Sequence, residues 1–326
     1  MKNIFVTGGG GYVGAQLVPF LLKKGFNVTV IDLFIYGENV IEEHQNLKII
    51  KGDIRDQKLL DEHLSNTDIV IHLACISNDP SFELNPKLGK SINLDAFEPL
   101  VKICKKKNVK RFVYASSSSV YGIKKDKNVH EGMSLEPLTD YSKYKAECEK
   151  ILFKYSSEEF VTTVLRPATV CGYSKRQRLD VVVNILTNLA YHKREISIFG
   201  GEQLRPNIHI KDMLRAYETI INAEKNLING EIYNVGFENL SINQISNKVI
   251  KEIGSDVKIK KTRSDDNRSY HISSRKIQDK LKFKTKYTVD DAIYELHEAF
   301  KNKIFLNTLD DIKYFNIKVM QKINLE

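Results

Sequence analysis

The sequence predicts an α/β protein: a doubly wound parallel sheet followed by a smaller mixed α/β C-terminal region. Three observations carry this. Short apolar runs of strand formers alternate with helical stretches through residues 2–167, a glycine turn joins the first strand to the first helix, and the alternation breaks up after Pro167. With 326 residues the chain can bury a large core, as one big unit or two modest ones.

Residues 2–7 (KNIFVT) form the first strand, which runs into Gly8-Gly9-Gly10-Gly11-Tyr12-Val13-Gly14 and then a helix over residues 15–24. Gly8, Gly11 and Gly14 are spaced GxxGxxG. The first allows a tight turn, the second lets backbone approach a pyrophosphate, and the third lets the helix pack on the strand. The helix N-terminus adds N–H groups and a positive dipole for phosphates. A second strand, 27–31, ends at Asp32, where a carboxylate can accept hydrogen bonds from adenosine ribose hydroxyls. Leu33, Phe34 and Ile35 follow with no arginine among them, so a 2′-phosphate would meet negative charge and no partner. NAD is therefore favoured over NADP. Strand, glycine turn, helix and acid together specify a Rossmann-type dinucleotide unit, which the glycines alone would not.

The alternation continues with strands at 47–51, followed by Gly52-Asp53-Ile54, and at 68–74 (DIVIHLA). A helix is expected over 86–107, a strand at 111–115 leading into Ser116 to Gly122, a helix over 141–155 and a strand at 161–165 closed by Arg166-Pro167. Ligands bind such a sheet at the carboxyl ends of its strands. Beyond Pro167, helices are expected at 180–192, 211–223, 241–253 and 289–300. Extended segments are expected at 195–199 and 231–235, with a return to the sheet at 208–210. The expected division is a dinucleotide-binding unit at 1–172 with 208–238 returning to it, a second ligand region at 173–207 and 239–303, and a tail at 304–326 with no assigned role.

Within the 141–155 helix, Tyr141 stands four residues ahead of Lys145 on one face. A phenol, with a pKa of about 10, is a poor base at neutral pH, but a nearby ammonium and a cationic nicotinamide both favour the phenolate. Tyr141 could then take a hydroxyl proton while the dinucleotide takes a hydride. Tyr and Lys at this spacing are also common on solvated helix faces. The dinucleotide unit upstream is what gives the pair its meaning.

Composition narrows the remaining classes. Lys plus Arg number 50 against 41 Asp plus Glu, a net charge of +9, but the lysines are dispersed rather than gathered in a basic arm, so no nucleic-acid partner is expected. Cys75, Cys104, Cys148 and Cys171 are too scattered for a disulfide framework or a zinc site, which fits a reducing cytoplasm and no metal. No apolar run of membrane-spanning length and no secretory leader pattern is present, so a soluble chain without a membrane partner is expected.

Taken together, TGGGGYVG (7–14), Gly52-Asp53-Ile54, His72-Leu73-Ala74, Asn93, YASSSSVYG (114–122), YSKYK (141–145), Leu165-Arg166-Pro167 and RPNIH (205–209) with Asp212 resemble one family. It is the extended short-chain dehydrogenase/reductases acting on nucleotide sugars, the epimerase/dehydratase group, and the likeness runs from Met1 to about Phe300. The resemblance implies that Tyr141 is the catalytic base, that Lys145 holds the nicotinamide ribose and lowers the tyrosine pKa, and that Ser117 hydrogen-bonds the reacting oxygen. It implies that Asp53 and Ile54 flank the adenine, that Leu73, Ala74 and Pro167 line the cofactor with Tyr12 and Val13, and that Asn93 lies near both. On the substrate side it implies Ser118, Asn184 and the diphosphate-binding pair Arg205 and Arg268. His72, in an apolar strand, reads as a core histidine.

The family's 4,6-dehydratases carry an Asp-Glu pair directly after the catalytic Ser or Thr, because removing water needs an acid and a base of its own. Here those positions hold Ser118 and Ser119. The members that make GDP-fucose place a cysteine where Ser118 stands, although Cys171 could approach the site from the Arg-Pro strand end. What remains is chemistry at one carbinol, sugar C4: a 4-epimerase if the hydride returns, a 4-dehydrogenase or 4-ketoreductase if it does not. Arg176, Arg178 and Asn78-Asp79-Pro80 look closer to members acting on deoxyhexose or heptose nucleotides in bacterial surface polysaccharide pathways. The two arginines either contact the nucleotide or solvate a loop. The helices at 86–107 and 141–155 are those the family pairs across a two-fold axis, which implies a homodimer. A non-catalytic dinucleotide sensor is the competing class, and it has no need for Ser117, Tyr141 and Lys145 together.

Overall fold

Side-chain alternation along the strands sets the layers. In β1 (Asn3–Thr7), Ile4 and Val6 face one helical layer and Phe5 the other. The computed structural model describes residues 1–126, 128–262, 271–323 and 325. After β1 come α1 (Gly14–Lys23), β2 (Asn27–Asp32), β3 (Leu47–Lys51), α2 (Gln57–His63), β4 (Ile69–His72), α3 (Asp79–Glu83), α4 (Pro86–Lys90), α5 (Phe97–Lys106), β5 (Arg111–Ala115), α6 (Asp140–Lys154) and β6 (Val161–Pro167). The rest of the chain gives β7 (Thr169–Cys171), α7 (Val182–Lys193), β8 (Glu195–Phe199), β9 (Leu204–His209), α8 (Ile210–Asn222), α9 (Lys225–Ile228) and β10 (Glu231–Val235). It closes with β11 (Glu238–Ser241), α10 (Ile242–Ile253), β12 (Lys258–Thr262), α11 (Arg275–Leu281), α12 (Val289–Lys301) and α13 (Asn316–Met320).

The central sheet has seven strands in the order β10-β6-β5-β4-β1-β2-β3, and every neighbouring pair is parallel. One face packs on α1 and α8 through Leu17, Val18, Leu21, Met213 and Ile220; the other packs on α2, α5 and α6 through Leu60, Phe97, Leu100 and Leu152. A third cluster joins α7, α10 and α12 over β8. This is the doubly wound Rossmann-type arrangement expected from the sequence.

Two expectations change. The segment at 208–210 does not rejoin the central sheet: β9 pairs parallel with β7 and antiparallel with β11 in a separate three-stranded sheet, and α8 already begins at Ile210. Among the strands beyond β9, β10 is the one that returns, beside β6. The helix expected over 86–107 runs helically over 86–106 but widens into a π-turn at Ser91–Asp95. Pro99 has no N–H to give the carbonyl of Asp95, and Ala96 N instead donates to Ser91 O, five residues back, at 3.1 Å.

Candidate active site

The strand order reverses between β1 and β4, and a cavity of about 360 Å³ opens at their carboxyl ends. Its floor is the glycine turn. A Cβ on Gly8, whose φ is +75°, would stand 2.6 Å from Ala74 N, and one on Gly14 would stand 2.5 Å from the carbonyl oxygens of Gly8 and Gly9. Both positions therefore require glycine, for the turn and for the helix contact. A Cβ on Gly11 would meet only Gly8 O, at 3.3 Å, so its face is open toward the cavity. Tyr12 and Val13 line the same wall. The Tyr12 hydroxyl donates to Gly172 O at 2.7 Å, which ties the turn to the loop after β7.

At the adenosine end, Asp32 accepts Gly10 N at 2.8 Å and Phe34 N at 2.7 Å. Burial raises its carboxyl, while those two N–H groups and Arg176 oppose the rise. Asp53 and Ile54 line the opposite wall, with Asp53 held by Arg55 at 2.7 Å. Leu73, Ala74 and Pro167 line the middle of the cavity. An open glycine, a carboxylate at the end of β2 and a helix N-terminus on one cleft fit a dinucleotide.

The reacting end is built where β5 stops. Lys145 Nζ donates to Ala115 O at 2.7 Å and lies 5.0 Å from the Tyr114 ring and 5.9 Å from the Tyr141 ring. Ser117 caps the short turn at Ser118–Tyr121; its Oγ accepts Ser119 N at 3.1 Å and bonds Ser119 Oγ at 2.9 Å. Hydroxyl contacts continue through Ser142 to Thr139, which donates to Asp79 at 2.6 Å. Ser117, Ser118, Tyr141 and Lys145 all line the cavity. Burial pushes the Tyr141 phenol up, Cys75 and Asp79 add to this, and Arg178 and a hydrogen bond with Ser117 oppose it. Arg178 is thus a cation acting on Tyr141, in addition to Lys145, whose Nζ lies 5.9 Å from the Tyr141 ring. Beneath the site, Glu149 binds Ser116 and pairs with Arg166 at 2.5 Å, both nearly fully buried, which locks α6 to β6.

Other expected site residues lie elsewhere. Asn93 sits in the wide turn with its amide on the Ile76 backbone, accepting N–H at 2.8 Å and donating to C=O at 3.0 Å, so it braces the loop after β4 rather than lining the cavity. Asn184 is fully buried and its amide is occupied by Gly172, Tyr12 and Arg178 O, which orders the 172–178 loop. Arg205 lines a smaller adjoining pocket with Asp79, Ser119 and Ser142. Arg268 lies outside the described residues. Cys171 is buried with its Sγ toward Ile208 O and does not reach the cavity wall. Residues that sequence reasoning did not single out do reach it: Cys75, Tyr36 and, from the tail, Asn316 and Leu325. Asp79 lay inside a noted motif; Asn316 had no local signal at all.

The chain matches the NAD dependent epimerase/dehydratase family over residues 4–236. It belongs to that family. The family enzyme is 29% identical over 273 residues to a dTDP-D-glucose 4,6-dehydratase of Dictyostelium discoideum, a match covering 77% of this chain and 62% of that one, under two thirds of the relative's length. It is 33% identical over 248 residues to an uncharacterized UDP-glucose epimerase of Bacillus subtilis, covering 72% of this chain and 76% of that one. The UDP-glucuronic acid 4-epimerase of Bacillus cereus, solved with UDP-glucuronic acid and NAD, superposes with a TM-score of 0.82 at 26% identity, over 92% of this chain and 99% of that one. As a member of an NAD-dependent family the protein is an enzyme that uses NAD. Among the described residues no group of three or more His, Cys, Asp or Glu could hold a metal, and no helix is long and apolar enough to cross a membrane.

Proposed function

We propose that the enzyme is a nucleotide-sugar 4-epimerase acting through a transient 4-keto sugar, in cytoplasmic synthesis of bacterial-type surface polysaccharide. The observation that carries this is the sequence after Ser117: two hydroxyl residues, Ser118 and Ser119, beside Tyr141 and Lys145 on one cavity wall, where a dehydratase would need a carboxylate pair. NAD, held by the glycine turn and Asp32, would supply reversible hydride acceptance at the sugar carbon. Tyr141 takes the C4 hydroxyl proton and later gives it back, Ser117 holds the reacting oxygen, and Lys145 positions the nicotinamide ribose. Asp32 takes the adenosine ribose, with Asp53 and Ile54 at the adenine. Arg205 and Arg268 serve the sugar-nucleotide diphosphate, and Asn184 contributes by ordering the 172–178 loop. The same reading includes a homodimer through α5 and α6, which light scattering at micromolar concentration would test.

The experiment is to incubate the purified protein with UDP-, GDP- and dTDP-hexoses and identify products by NMR and mass. The expected product has the substrate's mass and the inverted C4 centre. Loss of water would replace epimerisation with dehydration, with Asp79 and Cys75 the side chains to examine. An oxidised sugar with accumulating NADH would make the enzyme a 4-dehydrogenase. Tyr141→Phe should keep NAD and lose turnover by roughly 10²- to 10⁴-fold; near-normal turnover would sink the proposed role of Tyr141.

A further inference from the structure

The segment after Lys303 has no role in the chemistry so far, yet it crosses from the C-terminal region to the dinucleotide cleft. Phe305 and Tyr314 pack with Leu296 and Phe300, while Met320 is buried on the far side against the Rossmann core with Ile323 and Leu325 beside it. Between these anchors, Leu179 N donates to Tyr314 O at 2.8 Å. Asn316, 2% exposed, is the hub. Its backbone N donates to Asp180 Oδ2 at 2.7 Å, its Nδ2 donates to Ser77 Oγ at 2.9 Å, and its Oδ1 accepts from Arg176 Nη2 at 2.5 Å.

Arg176 is the unexplained group. Its guanidinium stacks 3.8 Å over the Tyr36 ring, on the side of the cavity where it also acts on Asp32. It is 3% exposed, lines the cavity, and its buried Nε has no hydrogen-bond partner. Burial pulls its pKa down to about 10. A desolvated guanidinium with an open donor in a cavity wall calls for an anion, and the planar fork suits phosphate oxygens.

We propose that Asn316 is a positioning residue of the NAD site, holding Arg176 against a diphosphate, and that the C-terminal segment thereby sets how long NAD stays bound. This goes beyond the epimerase reading and rests only on NAD binding, so it stands or falls without a sugar assay. Both NAD and a nucleotide sugar carry a diphosphate; the position of Arg176 beside Asp32 and Tyr36 assigns it to NAD.

The test uses the full chain, with NADH as fluorescent probe and UDP as probe of the sugar-nucleotide side. Arg176→Gln leaves the Asn316 bonds to Ser77 and Asp180 in place, and Asn316→Ala keeps the backbone bond to Asp180. Each should speed NADH release about tenfold or more, because a charge-assisted hydrogen bond is lost or misplaced. The double variant should be no faster than Arg176→Gln alone. NADH affinity should fall less steeply with NaCl in both single variants than in the parent, a change that a purely structural role for Asn316 would not produce. UDP affinity should stay unchanged. Parental release rates and salt slope in folded Asn316→Ala would overturn the proposal. Weakened UDP binding with unchanged NADH release in Arg176→Gln would overturn it too, by giving the arginine to the sugar nucleotide.

Discussion

Burial disfavours the phenolate of Tyr141, and Arg178 is a cation that opposes this. Arg178 is itself clamped by Asp180 at 2.5 Å, so its charge is fixed in place. Arg178→Gln removes that cation, which raises the Tyr141 pKa, while Asp180 keeps its bond from Asn316 N. The rising limb of the kcat–pH profile should then move up by about one unit or more; an unmoved limb would show that another group sets it. His72 gives a second pH signature. Burial, and secondarily Lys145, lowers its pKa to about 3. Because this lies below the unfolded value of about 6.5, the stability His72 contributes is fully present above pH 6.5 and is lost as pH falls toward 3. At pH 5 roughly 2 kcal/mol should be gone. Urea unfolding at pH 7.5 and 5 should show a drop smaller by about that amount in His72→Gln than in the parent. That Ser117, Tyr141 and Lys145 share one cavity wall was legible in the sequence because each belongs to a contiguous motif. Arg176 gained a meaning only from a partner 140 residues away, a pairing that no local pattern encodes.

At the scale of elements, the wide turn at Ser91–Asp95 is the feature to test. It turns Asn93 toward the Ile76 backbone, and that pair of hydrogen bonds fixes the loop that brings Leu73 to Asp79 into the cavity wall. Asn93→Ala strands a buried donor and acceptor on Ile76 and should cost about 2 kcal/mol in urea unfolding, with weaker NADH binding as the loop loosens. The turn was not legible because apolar spacing through 86–107 stays helical on both sides of it, and a single proline at 99 leaves the choice between kink, break and widened turn open. The strands of the Rossmann half were legible because their alternating or continuous apolar runs are bounded by turn residues. β9 was not, since three apolar or neutral residues look alike whichever sheet takes them.

For the whole molecule, the cavity draws on residues from Gly8 to Leu325, so a dinucleotide held in it would bridge elements spread across nearly the full chain. Stripping bound NAD should lower the melting temperature, and adding it back should restore it in a concentration-dependent way, by about 2.7 kcal/mol at a hundred times Kd. A melting temperature indifferent to NAD would mean the cleft does not hold it. The architecture itself was legible from strand and helix alternation. The route of the tail was not, because its apolar and charged residues carry no periodic pattern and its seat is set by surfaces folded elsewhere.

β6 and β10 are neighbours paired from Thr163 with Glu231 to Pro167 with Val235, and residues 168–230 leave the sheet and come back along this one edge. An insertion or replacement within 169–209 therefore moves no strand at the NAD side out of register. The glycine turn and the tyrosine helix can stay unchanged while the part of the excursion beyond the 172–180 loop, which is tied to the turn, is traded for another. New sugar preferences can then arise as local grafts rather than as new folds.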